Sequence, residues 1–187
     1  MFIYPLARPR LVIEKVEGKN ACISSWERIS DRSMPPRIKT GANYINSRHA
    51  HLEAVANGYD LPILLNANGN VSEGAGACLM MVKSGVLVAP PLSASVLQSI
   101  TRMTLLEVAS NLNILIEERD ISRSELYVAD EVFLCGTTPE ITPIKSIDHI
   151  QIGGSAPGEV AKLLISEYHK VASGSNRNYL EWITAVY

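Results

Sequence analysis

The strongest constraint on the fold is the alternation of short apolar runs with tight-turn signals in the middle of the chain. These runs have the length of β-strands, and they lie at 61–65, 71–73, 78–82 and 86–89. The pairs Asn68-Gly69 and Ser84-Gly85 are typical of the turns that join hairpin strands. Longer segments have the apolar spacing of helices, and they lie at 42–57, 97–112 and 158–172. Hairpins mixed with long helices predict an α+β fold rather than a doubly wound parallel sheet.

The flanking segments complete this prediction. Further strands are expected at 11–16, 21–26, 114–121, 131–134 and 141–144. Short helical segments are expected at 124–129 and 179–186. Ser93 or Ser95 is a candidate N-cap for the helix over 97–112. No GxGxxG motif follows the first strand, which argues against a dinucleotide-binding site.

Composition limits the class of protein. The chain has 187 residues, of which 47% are hydrophobic and 19% charged, so it has enough apolar residues for the core of one domain. Residues 1–48 hold nine Lys or Arg against four Asp or Glu, but these charges are scattered and no aromatic platform is interleaved with them, which favours an anionic ligand or an acidic partner over nucleic acid. No apolar run approaches the length of a membrane span.

The three cysteines, Cys22, Cys78 and Cys135, are far apart in the sequence and form no CxxC motif or Cys/His cluster. The missing cluster argues against a structural zinc site, and the odd number and wide spacing argue against a disulfide framework. Together these features favour a reducing, cytoplasmic compartment. The histidines are expected to be structural or surface residues, and no metal site is expected: they are His49, His51, His149 and His169.

Two residues are candidates for chemistry because of their neighbours. Lys39 lies before small residues at the start of the first helix, and a lysine among apolar neighbours can attack a carbonyl as a free amine. Glu73 precedes Gly74 and Gly76, which let a flat ligand approach the backbone, and a carboxylate there can keep a heteroaromatic nitrogen protonated. Taken alone, each residue also fits a plain structural interpretation, a solvated lysine and an exposed glutamate in a bulged strand.

Two further segments are candidates for binding an anion. Ser99-Ile100-Thr101 opens a strong helix, where free backbone N–H groups and the helix dipole favour a phosphate, although simple capping explains the same residues. Gly136-Thr137-Thr138 is a small, hydroxyl-rich loop between two predicted strands, and such loops bind oxyanions or serve only as turns.

Together these segments resemble the class IV (fold type IV) pyridoxal-phosphate aminotransferases, and most closely the branched-chain amino acid aminotransferases. Five motifs occur in the family's order, from about residue 21 to the C-terminus: they are Lys39 with Asn43-Tyr44, the segment 71–76, Pro90-Pro91 with 97–102, the segment 126–133 and the segment 136–143. The resemblance implies a mixed or antiparallel β pseudo-barrel with flanking helices.

The resemblance also implies how pyridoxal 5′-phosphate is bound. Lys39 would form the Schiff base with the cofactor and act as the base and acid of the proton shift. Tyr44 would donate a hydrogen bond to the phenolic oxygen of the cofactor. Glu73 would pair with its ring nitrogen, and Leu97 would pack on the ring face.

The remaining roles concern the phosphate and the substrate. Ile100 and Thr101 would bind the phosphate through their backbone, and Thr137 would add a hydroxyl group. Thr138 lies in the loop that receives the substrate carboxylate. Ala77 borders the substrate side, where the family commonly has Glu-Asn instead of Ala77-Cys78, so substrate specificity is left open.

The function implied is transamination of branched-chain L-amino acids with 2-oxoglutarate, in a cytoplasmic homodimer without nucleic-acid or membrane partners. The alternatives are a D-amino acid or amine transaminase, an aminodeoxychorismate lyase, or a truncated, non-catalytic cofactor domain. Residues 1–10 are expected to be an arm or linker and residues 11–187 the cofactor-binding large domain. The small N-terminal domain of the family, which supplies an arginine to the phosphate, is expected to be absent.

Overall fold

The computed structural model describes residues 16–184, which contain nine β-strands and four α-helices. The strands are β1 (Lys19–Glu27), β2 (Leu61–Leu65), β3 (Val71–Gly74), β4 (Cys78–Lys83), β5 (Val86–Ala89), β6 (Ile116–Glu118), β7 (Glu131–Gly136), β8 (Glu140–Ile147) and β9 (Ile150–Gln151). The helices are α1 (Tyr44–Ala56), α2 (Ile100–Asn111), α3 (Arg123–Leu126) and α4 (Glu159–Ala172), with short 3₁₀ segments at Gly41–Asn43, Leu92–Ala94 and Arg177–Trp182. The predicted arm over 1–10 and nearly all of the strand predicted over 11–16 lie outside the described residues.

Six of the strands close into a barrel. Their order is β3-β2-β1-β8-β7-β4, and the pairing of β3 with β4 closes the ring. Strand β1 pairs in parallel with β2 and β8, whereas the other pairs in the ring are antiparallel. Strands β5 and β6 extend the sheet beyond β4. This mixed barrel with helices packed against it confirms the predicted α+β fold class.

Side chains alternate between two hydrophobic clusters along the central strands. Met80 of β4 and Phe133 of β7 are fully buried in a cluster that includes residues of α2 and α4, outside the barrel. Their neighbours Leu79 and Leu134 are buried in a second cluster, to which each of the six barrel strands contributes. Since successive residues of a strand point to opposite faces, a sheet buried on both sides needs continuous apolar runs. The apolar sequence of β4 and β7 meets that need.

Both predicted tight turns are present. Asn68-Gly69 joins β2 to β3, and Gly69 has a φ of +78°. Ser84-Gly85 joins β4 to β5, with φ values of +51° and +79°. Two consecutive positive φ values match the twist of a hairpin, which explains why glycine occupies the second position.

The start of α2 differs from the prediction. The helix begins at Ile100 rather than at residue 97, and the N-cap is Ser99, whose side chain accepts a hydrogen bond from the backbone N–H of Arg102 at 3.4 Å. The prediction of Ser93 or Ser95 as the cap was therefore wrong. The physical reason is that the backbone N–H of Leu97 donates to the Glu73 carboxylate at 3.0 Å, which holds this residue outside the helix.

Other elements differ mainly in length. The strand predicted over 114–121 pairs only at Ile116–Glu118, because its ladder partner β5 is a short strand. Strand β8 continues to Ile147, beyond the predicted end at 144, where it pairs with the short strand β9. The final helical segment is a 3₁₀ turn at Arg177–Trp182 rather than a helix over 179–186, whose last residues lie outside the described part.

Helix α4 begins at a residue that has no side chain to cap it. Its N-cap is Gly158, and the carboxylate of Glu131 in β7 performs this role instead. This carboxylate accepts hydrogen bonds from the backbone N–H groups of Val160 at 2.9 Å and Ala161 at 2.8 Å. A negative charge at the N-terminus of a helix also interacts favourably with the helix dipole. The contact fixes α4 against β7, which forms part of the candidate site. Among residues 16–184, the helices are too short and too polar for a membrane span.

Candidate active site

A cleft of about 390 Å³ brings the predicted site residues together. Its walls come from the loop before α1, the turn between β3 and β4, the start of α2 and the turn between β7 and β8. Eight of the nine predicted residues line it: they are Lys39, Tyr44, Glu73, Ala77, Leu97, Ile100, Thr137 and Thr138. Thr101 is buried one residue further into α2 and does not line the cleft. The roles assigned to these residues stay predictions.

Glu73 is the buried carboxylate among the residues that line the cleft. It is the third residue of β3, and only 5% of its surface is exposed. The Arg28 guanidinium lies against it, with Nη2 at 2.7 Å from Oε1 of Glu73, and the backbone N–H of Leu97 donates to Oε2 at 3.0 Å. Both carboxylate oxygens therefore have a donor, which is what a buried carboxylate requires.

The electrostatics of Glu73 depend on a balance of two effects. Burial raises the pKa of Glu73 to about 7, from an ordinary value of 4.5. The positive charge of Arg28 and the hydrogen bonds from Leu97 and Arg28 act in the opposite direction, because they stabilise the ionised form. Glu73 is thus poised to gain or lose a proton near neutral pH, and an added positive charge in the cleft would favour its ionised form.

Arg28 was missed by the sequence analysis. It follows β1, and its side chain is 5% exposed. Its Nε and Nη1 atoms are buried without a hydrogen-bond partner among the described residues. No local signal distinguishes it from the other basic residues of the front segment, since its burial depends on contact with Glu73 from another strand. The excess of basic residues in that segment is the one indication the sequence offers.

The segment before α1 presents Lys39 at the mouth of the cleft. Asn43 secures this segment, since its Nδ2 donates to the carbonyl oxygens of Pro35 and Ile38, each at 2.9 Å. Lys39 lies in the sequence between Ile38 and Asn43, which one of these hydrogen bonds joins, and Tyr44 is the first residue of α1. The Lys39 side chain is exposed and Tyr44 is 43% exposed, so both lie at the open side of the cleft, whereas Glu73 is buried in its wall.

The part of the cleft wall formed by the start of α2 and the turn between β7 and β8 is suited to an anion. The start of helix α2 lines the cleft, and the first turn of a helix has N–H groups without partners within the helix. The turn between β7 and β8 adds the exposed residues Thr137 and Thr138. Arg28, Arg37 and Lys39 also line the cleft, against the single carboxylate of Glu73. The cleft therefore favours a ligand that carries negative charge, as the basic front segment predicts.

No group of three His, Cys, Asp or Glu side chains within residues 16–184 is arranged to bind a metal ion. The groups of the described cleft include an amine, a phenol, a buried carboxylate with its arginine, two threonine hydroxyls, two thiols and the start of a helix. These are groups that hold an anion, orient a ring and transfer protons.

Comparisons with known proteins identify the relatives of this chain. The sequence model of the family described as "Amino-transferase class IV" matches residues 1–147. The chain is 39% identical over 188 residues to the "Probable branched-chain-amino-acid aminotransferase" of Aquifex aeolicus, which covers 100% of this chain and 60% of that protein. It is 40% identical over 170 residues to the "Branched-chain-amino-acid aminotransferase" of Escherichia coli (strain K12), which covers 91% of this chain and 55% of that protein.

A solved structure gives the same result for the fold. The crystal structure of branched-chain amino acid aminotransferase from Thermobaculum terrenum in its PLP-form superimposes with a TM-score of 0.90 and 45% sequence identity. The match covers 95% of this chain and 58% of that chain. The chain thus spans 55–60% of the length of these relatives.

Proposed function

Because this chain belongs to the class IV aminotransferases, we propose that it binds pyridoxal 5′-phosphate in the cleft and takes part in transamination. The amino-group donors proposed are branched-chain L-amino acids, after the names of the relatives, and the acceptor proposed is 2-oxoglutarate. One observation carries the proposal: the buried carboxylate of Glu73, fixed by Arg28 at 2.7 Å, lines the same cleft as the amine of Lys39.

The groups in the cleft fit the functional groups of this cofactor. The cofactor has an aldehyde, a phenolic oxygen, a ring nitrogen and a phosphate. Lys39 offers an amine for the aldehyde, Tyr44 a phenol, and Glu73 a carboxylate for the nitrogen. The start of α2 and Thr137 offer N–H and hydroxyl donors for the phosphate. The raised pKa of Glu73 supports the match, because a buried acid near neutral pH gains most from a cationic partner.

When bound, the cofactor withdraws electrons from the bonds at the substrate Cα. The residues of this chain would prepare that chemistry. Glu73 would hold a proton on the ring nitrogen, and Arg28 would keep the Glu73 carboxylate ionised and oriented. The Nζ atom of Lys39 would link the cofactor and then take and return the Cα proton. Tyr44 would donate a hydrogen bond that fixes the ring.

Other residues would bind and orient. Leu97 would pack on a face of the ring, as its position in the cleft allows. Ile100 and Thr101 would bind the phosphate through backbone N–H groups, which agrees with the buried side chain of Thr101. Thr138 and Ala77 would border the substrate carboxylate. Each of these roles can be tested by a single substitution measured against the binding of the cofactor.

Titration with pyridoxal 5′-phosphate tests the proposal. Wild-type chain should develop the visible absorbance band of lysine-bound cofactor, and so should Lys162→Ala, which changes a surface lysine paired with Glu159. Lys39→Ala should lack the band. Amino transfer from L-leucine to 2-oxoglutarate should follow the same pattern. A wild-type chain that is folded and still lacks the band at saturating cofactor would support the alternative of a non-catalytic cofactor domain.

A substrate panel separates the enzyme alternatives. L-leucine, D-alanine, a primary amine and aminodeoxychorismate represent the four reactions, and the proposal expects the highest kcat/KM with L-leucine. Ala77 and Cys78 stand where the family commonly has Glu-Asn, so this border of the cleft is where a different preference would arise. Activity confined to D-alanine would reject the branched-chain proposal and retain the cofactor site.

The mouth of the cleft exposes large apolar side chains. Ile38 is 57% exposed, Tyr44 43% and Ile100 76%. Clustered apolar surface of this kind marks an interaction site. We propose that residues 11–187 act as the cofactor-binding domain and that a second polypeptide surface covers this mouth in a homodimer. Sedimentation velocity tests the assembly: a species of twice the chain mass is expected, and a monomer at all accessible concentrations would contradict it.

A further inference from the structure

Two cysteines that are distant in sequence are neighbours in the sheet. Cys78 of β4 and Cys135 of β7 are direct partners in the antiparallel ladder. Directly opposite residues of such a ladder have Cα atoms about 4.5–5.5 Å apart, with Cβ atoms at a similar separation. The two residues are 2% and 0% exposed, and both line the cleft. They are not joined by a disulfide.

The two thiols lie on the same face of the sheet. Cys78 and Cys135 belong to the cluster outside the barrel, together with the next opposed pair, Met80 and Phe133. The intervening pair, Leu79 with Leu134, belongs to the cluster inside the barrel and so lies on the opposite face. This strict alternation fixes the direction of both cysteines. Both side chains consequently project from adjacent strands to the same, cleft-lining face of the sheet.

The surroundings keep both thiols protonated. Burial raises the pKa of Cys78 to about 12, and the negative charge of Glu73 adds to the effect. Burial also raises the pKa of Cys135 well above its ordinary value, with a further contribution from Cys78. The Cys78 thiol donates to the carbonyl oxygen of Leu97 at 3.4 Å, as a protonated thiol can.

Protonated thiols restrict what the pair can bind. Divalent zinc or cadmium requires thiolates, and two buried thiolates beside Glu73 would be unfavourable. Attack on a disulfide also requires a thiolate, so oxidation by low-molecular-weight disulfides is disfavoured. The cost of forming buried thiolates is avoided by a neutral, thiophilic species. Such a species reacts with neutral thiols and leaves a neutral product. Arsenous acid, As(OH)₃, has these properties.

We propose that Cys78 and Cys135 form a two-thiol site on the wall of the cleft that binds trivalent arsenic from arsenous acid. Two As–S bonds replace two As–O bonds, and each thiol proton leaves with a hydroxyl group as water. One hydroxyl group stays on arsenic, which remains As(III), so no electron is transferred and no co-reactant is needed. The site requires no cofactor in the cleft, and it stands independently of the proposed function.

Equilibrium titration of the full chain with sodium arsenite tests the site, without cofactor present. Bound arsenic is measured by elemental mass spectrometry after rapid desalting, and the near-ultraviolet As–S absorbance reports the same binding. We expect saturation at one arsenic per chain. Cys78→Ser and Cys135→Ser should each weaken binding about 100-fold or more, because a single bond lacks the advantage of two linked ones.

Cys22 provides the matched control. It is also buried, but it lies in β1 opposite Pro62 of β2, and Cys22→Ser leaves the opposed pair intact. This variant should bind arsenic like wild type. Equal binding by Cys78→Ser, loss of binding in Cys22→Ser, or no binding by folded wild type would overturn the proposal. Cys78→Ala and Cys135→Ala, which suit the apolar surroundings, replace any serine variant whose circular dichroism shows that it does not fold.

Discussion

Substitution of Arg28 is the sharpest test of the buried ion pair between Arg28 and Glu73. The guanidinium and the Glu73 carboxylate are 2.7 Å apart, with side chains 5% and 7% exposed. Removing one partner of a buried pair leaves an uncompensated charge and costs about 3–5 kcal/mol. Glu73 moderates the cost because its pKa is already about 7 and rises further without Arg28, so it can take up a proton. We therefore expect Arg28→Leu to lower the free energy of unfolding by about 3 kcal/mol at pH 8.

The cost should depend on pH. At pH 5.5 Glu73 is protonated in wild type and in the variant, so the lost attraction is smaller than at pH 8, where wild-type Glu73 is ionised. Urea unfolding followed by tryptophan fluorescence measures the difference at both values. Arg37→Leu is the matched control, since Arg37 is an exposed arginine of the same cleft, and it should change stability by less than about 0.5 kcal/mol.

The double variant Arg28→Leu/Glu73→Gln separates the charge effect from the loss of packing. With the carboxylate removed, most of the cost of Arg28→Leu should be recovered, which a double-mutant cycle records as an interaction energy. Additive single effects would refute the claim that the pair acts as a unit. A cost equal to that of Arg37→Leu, or one that is the same at pH 5.5 and pH 8, would refute the burial argument itself.

Three further outcomes follow from the same contacts. Because folding raises the pKa of Glu73 from 4.5 to about 7, the folded chain holds a proton between these pH values that the unfolded chain releases. The stability that this proton contributes is complete below pH 4.5 and is lost as the pH rises through 7. Urea unfolding at several pH values should show this loss in wild type, and Glu73→Gln should lack it. Glu131→Gln should lower the free energy of unfolding by about 1–2 kcal/mol through loss of the α4 cap, whereas Glu159→Gln, at an exposed pair, should change it by less than about 0.5 kcal/mol in the same assay. Gly153→Ala should lower the melting temperature by several degrees in a thermal scan, since the new Cβ would lie 2.0 Å from the carbonyl oxygen of Asp130 at a φ of +55°; an unchanged melting temperature would show that this turn relaxes freely.

The sequence predicted those parts of the fold that local chemistry determines. The hairpin turns at Asn68-Gly69 and Ser84-Gly85 require positive φ values, which glycine adopts at little cost, so the residue types alone predict these turns. Strand β5 was predicted with its observed bounds, because its apolar run lies between the Ser84-Gly85 turn and Pro90-Pro91. The closure of six strands into a barrel came from resemblance to a family rather than from periodicity, since pairing between distant strands has no local signal.

The parts that were missed depend on contacts between distant segments. Arg28 gains its importance only when Glu73 from another strand packs against it. The start of α2 is set by a hydrogen bond from Leu97 to that same carboxylate. The wide sequence spacing of Cys78 and Cys135 argues against a disulfide framework, yet the ladder places them opposite each other. Distance in sequence is therefore a poor guide to which reactive groups share a site in a barrel.

Covalent trapping on Lys39 is the most direct test of the central claim, that this amine and the Glu73 carboxylate serve one cofactor. The chain is saturated with pyridoxal 5′-phosphate, reduced with sodium borohydride and digested, and the modified peptide is identified by mass spectrometry. We expect a single phosphopyridoxyl group on the peptide that contains Lys39, with trapping diminished in Glu73→Gln. Modification spread over the seven lysines of the chain, or confined to a lysine outside the cleft, would contradict it.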